Sequence, residues 1–220
     1  LFQNNGYRAT VPGIVVPKQW ILCNNPRDCC TVGGYMIHIG TLNIETERLL
    51  LRRFVQGDAP YIFRNWARDP EVSRHLTWMA HDNVENTEKV LQMWLDSYDR
   101  PEIYNWAIVD KESGQPIGSI AVVAIYEEAD KCEIGYCLGR KYWGKGIMTE
   151  AFKAVMDFLF NQVGFNRIQA YHHVDNPASG RVMMKAGMKK EGQMRQFARS
   201  NKGDFVDVDF YGITKDEFVV

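Results

Sequence analysis

Along the chain from Glu47 onward, short runs of apolar alternation give way to wider apolar stripes, and each change of period marks an element. Leu49–Phe54 reads as a strand, and Gly57-Asp58 opens a helix through Ala67 with Asp58 as its N-cap. Residues 66–83 form a long connection containing aromatic residues. Asn86 or Thr87 caps a second helix, in which Val90, Leu91, Trp94, Leu95 and Tyr98 make one apolar stripe. Asn105–Val109 and Ile117–Ile125 are strands joined through Ser113-Gly114-Gln115-Pro116, a hairpin signal. Cys132–Leu138 is a fourth strand. The next helix turns Ile147, Ala151, Val155, Phe158 and Leu159 inward. Arg167–Val174 is a fifth strand, and Ala178–Lys185 is a short helix ended by Gly187 at its C′ position. Glu191–Ala198 and Phe205–Gly212 are the last strands. The order βααβββαβαββ predicts an α/β fold, a mixed central sheet flanked by helices.

Composition narrows the class. The 220 residues are 45% apolar and 24% charged, with a formal net charge of −1. That balance suits one globular domain with an appendage and argues against nucleic-acid or polybasic membrane partners. No stretch approaches the roughly 18 apolar residues of a membrane span. Residues 11–22 carry Pro12, Pro17 and Lys18 and lack a basic leader, so a signal peptide is not expected. The five cysteines show no C-x-x-C spacing, which predicts neither a zinc site nor a disulfide framework. Reduced thiols and a cytoplasmic location follow as the default. Residues 1–35 differ from the rest, with Cys23, Cys29 and Cys30, no Glu and no usable hydrophobic period. They read either as an extension with no part in catalysis or as an arm that packs on the neighbouring subunit of a homodimer. The working domain is then 36–220.

The most telling run is 133–149, Glu-Ile-Gly-Tyr-Cys-Leu-Gly-Arg-Lys-Tyr-Trp-Gly-Lys-Gly-Ile-Met-Thr. A strand stops at Leu138, a glycine-rich loop follows, and an amphipathic helix starts near Ile147. Gly144 and Gly146, two residues apart, allow close approach of the backbone to a ligand and turn successive N–H groups one way. The first helical turn adds unpaired donors and the positive end of the helix dipole. Together these make a diphosphate site. On its own a Gly-x-Gly is more often an ordinary turn. Neither G-x-x-x-x-G-K-[ST] nor G-x-G-x-x-G is present, which sets aside a nucleotide-binding P-loop or a dinucleotide fold.

Three motifs in order carry a family resemblance. Lys141-Tyr142-Trp143-Gly144-Lys145-Gly146 resembles the acetyl-CoA motif of the GNAT acetyltransferases, with Lys141 where Gln or Arg is usual. Asp175-Asn176-Pro177-Ala178-Ser179, running into Lys185-Ala186-Gly187-Met188, resembles the signature of the Rim-type branch, the ribosomal-protein N-terminal acetyltransferases. Glu45-Thr46-Glu47-Arg48-Leu49-Leu50-Leu51-Arg52 is similar to that branch's opening strand. The resemblance spans about residues 44–215. It implies the GNAT fold with splayed fourth and fifth strands, acetyl-CoA as cosubstrate, and an amine acceptor, a protein or peptide N-terminus or a small amine.

Acetyl transfer from a thioester to an amine needs a neutral amine, a polarised carbonyl and a proton for the leaving thiolate. By resemblance, backbone N–H groups of Tyr136, Cys137 and Leu138 serve the pantetheine and the carbonyl. Lys141, Gly144, Lys145, Gly146, Ile147, Met148 and Thr149 form the diphosphate loop. Glu133 reads either as the base or as a solvated strand charge beside Lys131. Asn176 and Ser179 suit N-capping. The resemblance adds pantetheine binding for Asn176 and proton donation to sulfur for Ser179. Many GNAT branches place a Tyr seven residues after this Asn; here it is Met183. The base proposed for the Rim-type branch, a Glu in the sixth strand, falls at Ala198. Those two departures keep a catalytically silent acyl-CoA-binding module in view as the alternative. His172 and His173 read as structural or as aids to proton transfer, Cys132 and Cys137 as core. Trp78 and Met79 are candidates for the acceptor wall, and Tyr211 for its border or for packing. No residue spacing predicts a metal site.

Overall fold

Alternation along the strands sends apolar side chains to both faces of one sheet, so helices must cover both. The structure, a computed structural model, describes residues 36–218, and the extension expected over 1–35 lies outside the described residues. The strands are β1 (Ile44–Glu45), β2 (Leu49–Arg52), β3 (Asn105–Asp110), β4 (Gln115–Tyr126), β5 (Lys131–Leu138), β6 (Arg167–His173), β7 (Lys189–Arg199) and β8 (Phe205–Thr214). They form one sheet in the order β1-β2-β3-β4-β5-β6-β8-β7. Every neighbouring pair is antiparallel except β5 and β6.

On one face lie α1 (Ala59–Ile62), a π turn (Phe63–Ala67) and α3 (Val84–Ser97), packed through Ile62, Trp66 and Leu91 onto Phe54, Ala107 and Val109. The other face is covered by α4 (Ile147–Phe158), a second π turn (Leu159–Val163) and α5 (Pro177–Lys185). There Phe152, Val155 and Phe158 meet Trp106, Ile108 and Ile120 in the larger core. Fully burying each such side chain contributes about 1.5–3 kcal/mol, so the two clusters fix which face each helix takes.

The structure departs from expectation where local polar chemistry overrides pattern. The short strand β1, beside β2, is an addition. The connection 66–83 contains the helix α2 (Pro70–Ser73), whose Asp69 accepts from the Glu71 N–H at 3.0 Å. Helix α3 is capped by Asn83 rather than Asn86 or Thr87. The Asn83 side chain accepts from the Asn86 N–H at 2.9 Å, and Thr87 lies inside the helix, buried against His81. Asp58 does not cap α1 with its side chain. Its carboxylate takes two bonds from Arg52, at 2.7 and 2.9 Å, and one from the Val55 N–H at 2.9 Å. A buried carboxylate gains more from a bidentate guanidinium than from one capping bond.

Candidate active site

β5 and β6 run parallel for three residue pairs, Lys131–Arg167, Cys132–Ile168 and Glu133–Gln169, and then separate. Beyond that point β5 stays paired to β4 as far as Leu138, and β6 stays paired to β8 as far as His173. The result is a wedge that opens through the sheet. A cleft of about 980 Å³ occupies it, lined from both faces.

Bond phase decides which donors face the wedge. Gly139 N–H donates to the Ile117 carbonyl at 2.8 Å, in register with the Leu138–Gly118 and Cys137–Ser119 pairs. Antiparallel pairs alternate between bonded and open, so Cys137 exchanges its bonds with Ser119. The N–H groups of Tyr136 and Leu138 turn away from β4, into the wedge. Of the three donors expected here, Cys137 is therefore engaged in the sheet. Its side chain still lines the cleft, with Sγ 3.2 Å from Ser119 Oγ, and burial pushes the thiol's pKa up. Cys132, on the same strand, is buried and its thiol is likewise raised, first by burial and then by Glu133. Neither is poised as a thiolate nucleophile.

After Leu138 the chain makes a 3-10 turn (Arg140–Tyr142), and Trp143 Nε1 donates back to the Leu138 carbonyl at 2.7 Å. Gly144 and Gly146 both take left-handed backbone, at φ 73° and 75°. A Cβ at Gly144 would meet nothing within 4 Å, and at Gly146 it would meet Arg48 Nη2 at 3.6 Å. The room over the loop is thus open to a ligand. Gly146 is the N-cap of α4 and brings no side-chain cap, and the first helical bond runs from the Glu150 N–H to the Gly146 carbonyl. The donors of Ile147, Met148 and Thr149 stand without intrahelical partners beside the cleft they line. This set fits a diphosphate. Lys141 and Lys145 flank the Tyr142 ring and are not among the cleft's lining.

A latch that sequence reasoning missed sets the loop. Arg48 Nη1 donates to the Lys145 carbonyl at 3.0 Å, and Arg48 Nε and N–H donate to Glu150 at 2.7 and 3.0 Å. Thr46 Oγ1 adds a bond to Glu150 at 2.6 Å. Burial alone would raise the Glu150 carboxyl, but these bonds outweigh it and hold its pKa below the usual range. The carboxylate nearest the helix start is thereby turned away from the open donors.

Glu133 is buried, 8% exposed, where a solvated strand charge was the other reading. Gln169 Nε2 donates to its Oε2 at 3.0 Å. Burial raises the carboxyl's pKa, and the Gln169 bond and Lys131 only partly oppose this. Its face of β5 is the one covered by α3, and the same side of the cleft is lined by Tyr171, His173, His75, Trp78 and Trp94. The His75 and His173 rings lie 5.2 Å apart, and burial followed by His173 lowers the pKa of His75. Asn201 Nδ2, from the β7–β8 turn, braces this wall by donating to the Ser73 carbonyl at 2.9 Å.

On the other face, Asn176 caps α5, its side chain accepting from the Ser179 N–H at 3.4 Å. Ser179 Oγ lies 2.7 Å from the Tyr136 hydroxyl. Asn176 and Ser179 line the cleft together with the loop glycines. Met79 is 62% exposed and outside this lining, and Tyr211 is buried against His172, with ring centroids 5.5 Å apart. The cleft thus brings together most of the expected residues, but not Met79, Tyr211, Lys141 or Lys145. His172 Nδ1 bonds the His173 carbonyl at 2.7 Å, and its Nε2 faces Gly180 without a partner. Among the described residues no group of three or more His, Cys, Asp or Glu is placed to hold a metal ion, and no helix is long and apolar enough to cross a membrane.

Comparison with known proteins bears on this geometry. The family model described as an acetyltransferase (GNAT) domain matches residues 48–189. The chain is 32% identical over 173 residues to the uncharacterized N-acetyltransferase p20 of Bacillus licheniformis, covering 79% of this chain and 96% of that one. It is 23% identical over 172 residues to the ribosomal protein uS5-alanine N-acetyltransferase of Escherichia coli (strain K12), covering 74% and 87%. The microcin C7 self-immunity acetyltransferase MccE, solved with acetyl-CoA and AMP, shares the fold at a TM-score of 0.69 and 19% identity, over 77% of this chain and 93% of that one. The chain belongs to the GNAT family of N-acetyltransferases.

Proposed function

We propose that this protein moves an acetyl group from acetyl-CoA directly to a primary amine inside the wedge between β5 and β6. The observation that carries this reading is the parting of β5 from β6 just past Glu133, between a buried carboxylate on one face and the open glycine loop on the other. The N–H groups at Gly144 to Thr149 hold the diphosphate. The Tyr136 and Leu138 N–H groups serve the pantetheine and polarise the thioester carbonyl, and such preorganised donors are usually the largest catalytic term. Asn176 supports the pantetheine. Glu133 takes the proton from the amine, directly or through one water, and its raised pKa brings it nearer to the pH at which a base works best. Ser179 supplies the proton to the departing sulfur.

An α-amine is the acceptor best matched to one weak base. With a reference pKa near 8, about a tenth of it is neutral at pH 7, against about one part in 2,500 for a lysine. Among the described residues, the acceptor side of the cleft holds one buried carboxylate, Glu133, amid aromatic and histidine side chains, which suits a single amine beside an apolar group rather than a polyamine. The relative named for uS5-alanine acetylation supports the same choice. The test is thiol release from acetyl-CoA with a panel of peptides, beginning with an N-terminal alanine, plus polyamines and aminoglycosides. Turnover with α-amines is expected. Tight acetyl-CoA binding with no release for any amine would point instead to a silent acyl-CoA-binding module.

A further inference from the structure

Tyr136 carries a hydroxyl that the reaction above does not use. Its ring stands edge-on to Phe152, with centroids 5.3 Å apart, and its hydroxyl reaches across to α5. There two acceptors compete for one phenolic proton, Ser179 Oγ at 2.7 Å and the Ser179 carbonyl at 3.1 Å. In one arrangement the phenol donates to the carbonyl, and Ser179 turns its own proton toward the phenol oxygen. In the other the phenol donates to Oγ, and the single proton of Ser179 is turned out into the cleft. Negative charge growing beside Ser179 selects the second arrangement, because only there does a donor face it. Met183, on the same helix, is buried and has no proton to give.

We propose that Tyr136 is a positioning residue for Ser179, its phenol holding the serine hydroxyl in the orientation that delivers a proton to the departing sulfur. This rests on the acetyltransferase reading of the site. In the step, the acetyl C–N bond forms, the C–S bond breaks and its electron pair leaves with sulfur. Glu133 accepts a proton from the amine, and Ser179 gives one to the sulfur. Ser179 takes a replacement proton from solvent as it gives its own, so no alkoxide forms, and Glu133 then releases its proton to solvent. Tyr136 donates a hydrogen bond throughout and transfers nothing. Burial pushes the Tyr136 pKa well above that of an ordinary tyrosine, so the phenol keeps its proton over the working range.

Tyr136→Phe keeps the ring on Phe152 and removes only the hydroxyl. It is expected to lower kcat about 10- to 100-fold while leaving the KM for acetyl-CoA within about twofold. The double variant Tyr136→Phe/Ser179→Ala should be no slower than Ser179→Ala alone, since the phenol acts through the serine. A binding measurement gives a second readout. Titrated above the thiol's pKa, CoA should bind Tyr136→Phe several-fold more weakly than wild type, while desulfo-CoA binds both alike. Additive losses in the double variant, unchanged turnover in Tyr136→Phe, or an equal loss of affinity for desulfo-CoA would each overturn the proposal. If wild type releases no thiol with any amine, the acetyltransferase reading fails, and the comparison of CoA with desulfo-CoA still decides whether the hydroxyl pair addresses sulfur.

Discussion

Glu133 is one source of pH dependence in this protein. Its carboxyl is raised chiefly by burial, so the folded state binds its proton more tightly than the unfolded chain does. Stability from this group is therefore fully present below the unfolded carboxylate pKa and is lost as pH rises through the folded value. Glu133→Gln should raise the melting temperature at pH 7.5 and make no difference at the acid end of the curve, which thermal scans across pH will check. The same variant should depress turnover most at low pH and recover in part at high pH, where the amine loses its proton unaided. A uniform loss at every pH would assign Glu133 to holding the acceptor. Much at this scale was readable in the chain. The glycine loop ahead of α4 and the Asn176 cap of α5 follow from local motifs. Gln169, Tyr171 and the Tyr136 hydroxyl did not stand out, because their partners come from strands and helices distant in sequence and only the register sets them opposite one another.

At the scale of elements, two glycines shape the cleft, one through open space and one through a close contact. Gly146 sits at φ 75°, where a side chain costs about 1–2 kcal/mol and would project into the open room above the loop. Gly146→Val should weaken acetyl-CoA binding at least about tenfold, a loss of about 1.4 kcal/mol, while circular dichroism stays native; unchanged affinity would remove the loop from the site. Arg48→Ala should act in the same direction more mildly, raising the KM for acetyl-CoA with kcat nearly kept, since Arg48 holds the Lys145 carbonyl and Glu150 rather than the reacting atoms. Gly180 makes the close contact. A Cβ there would come within 2.5 Å of His172 Nε2 and 2.9 Å of the Tyr211 hydroxyl. Gly180→Ala should push α5 off the sheet, carrying Asn176 and Ser179 with it, and lower both melting temperature and turnover. Helix and strand cores were legible from periodicity, as in the stripe of α3 and the inward row of α4. Their ends were not. Asn83 rather than Asn86 caps α3, and Asp58 serves Arg52 rather than α1, because capping is settled by which partner lies nearest in space.

For the whole molecule, the mixed sheet and the flanking helices followed from the order of the elements, and the parting of β5 from β6 from the family resemblance. The two faces of the wedge were beyond reach of the sequence alone, since they depend on strands that pair across the fold. A chain beginning at Met36 should remain folded and active, because Met36 packs on the main core, the Ile37 N–H bonds the Val163 carbonyl at 2.9 Å, and the family match begins at residue 48. Loss of an oligomer alone, read by light scattering, would give residues 1–35 the role of a subunit arm. Direct transfer, with the amine and the thioester meeting in the wedge and no acetylated enzyme between them, is tested by initial rates measured while both acetyl-CoA and an α-amine acceptor are varied. Lines that converge in the double-reciprocal plot, with the intact mass of the protein unchanged by acetyl-CoA alone, are the predicted result; parallel lines with an acetyl group trapped on Cys137 would contradict it.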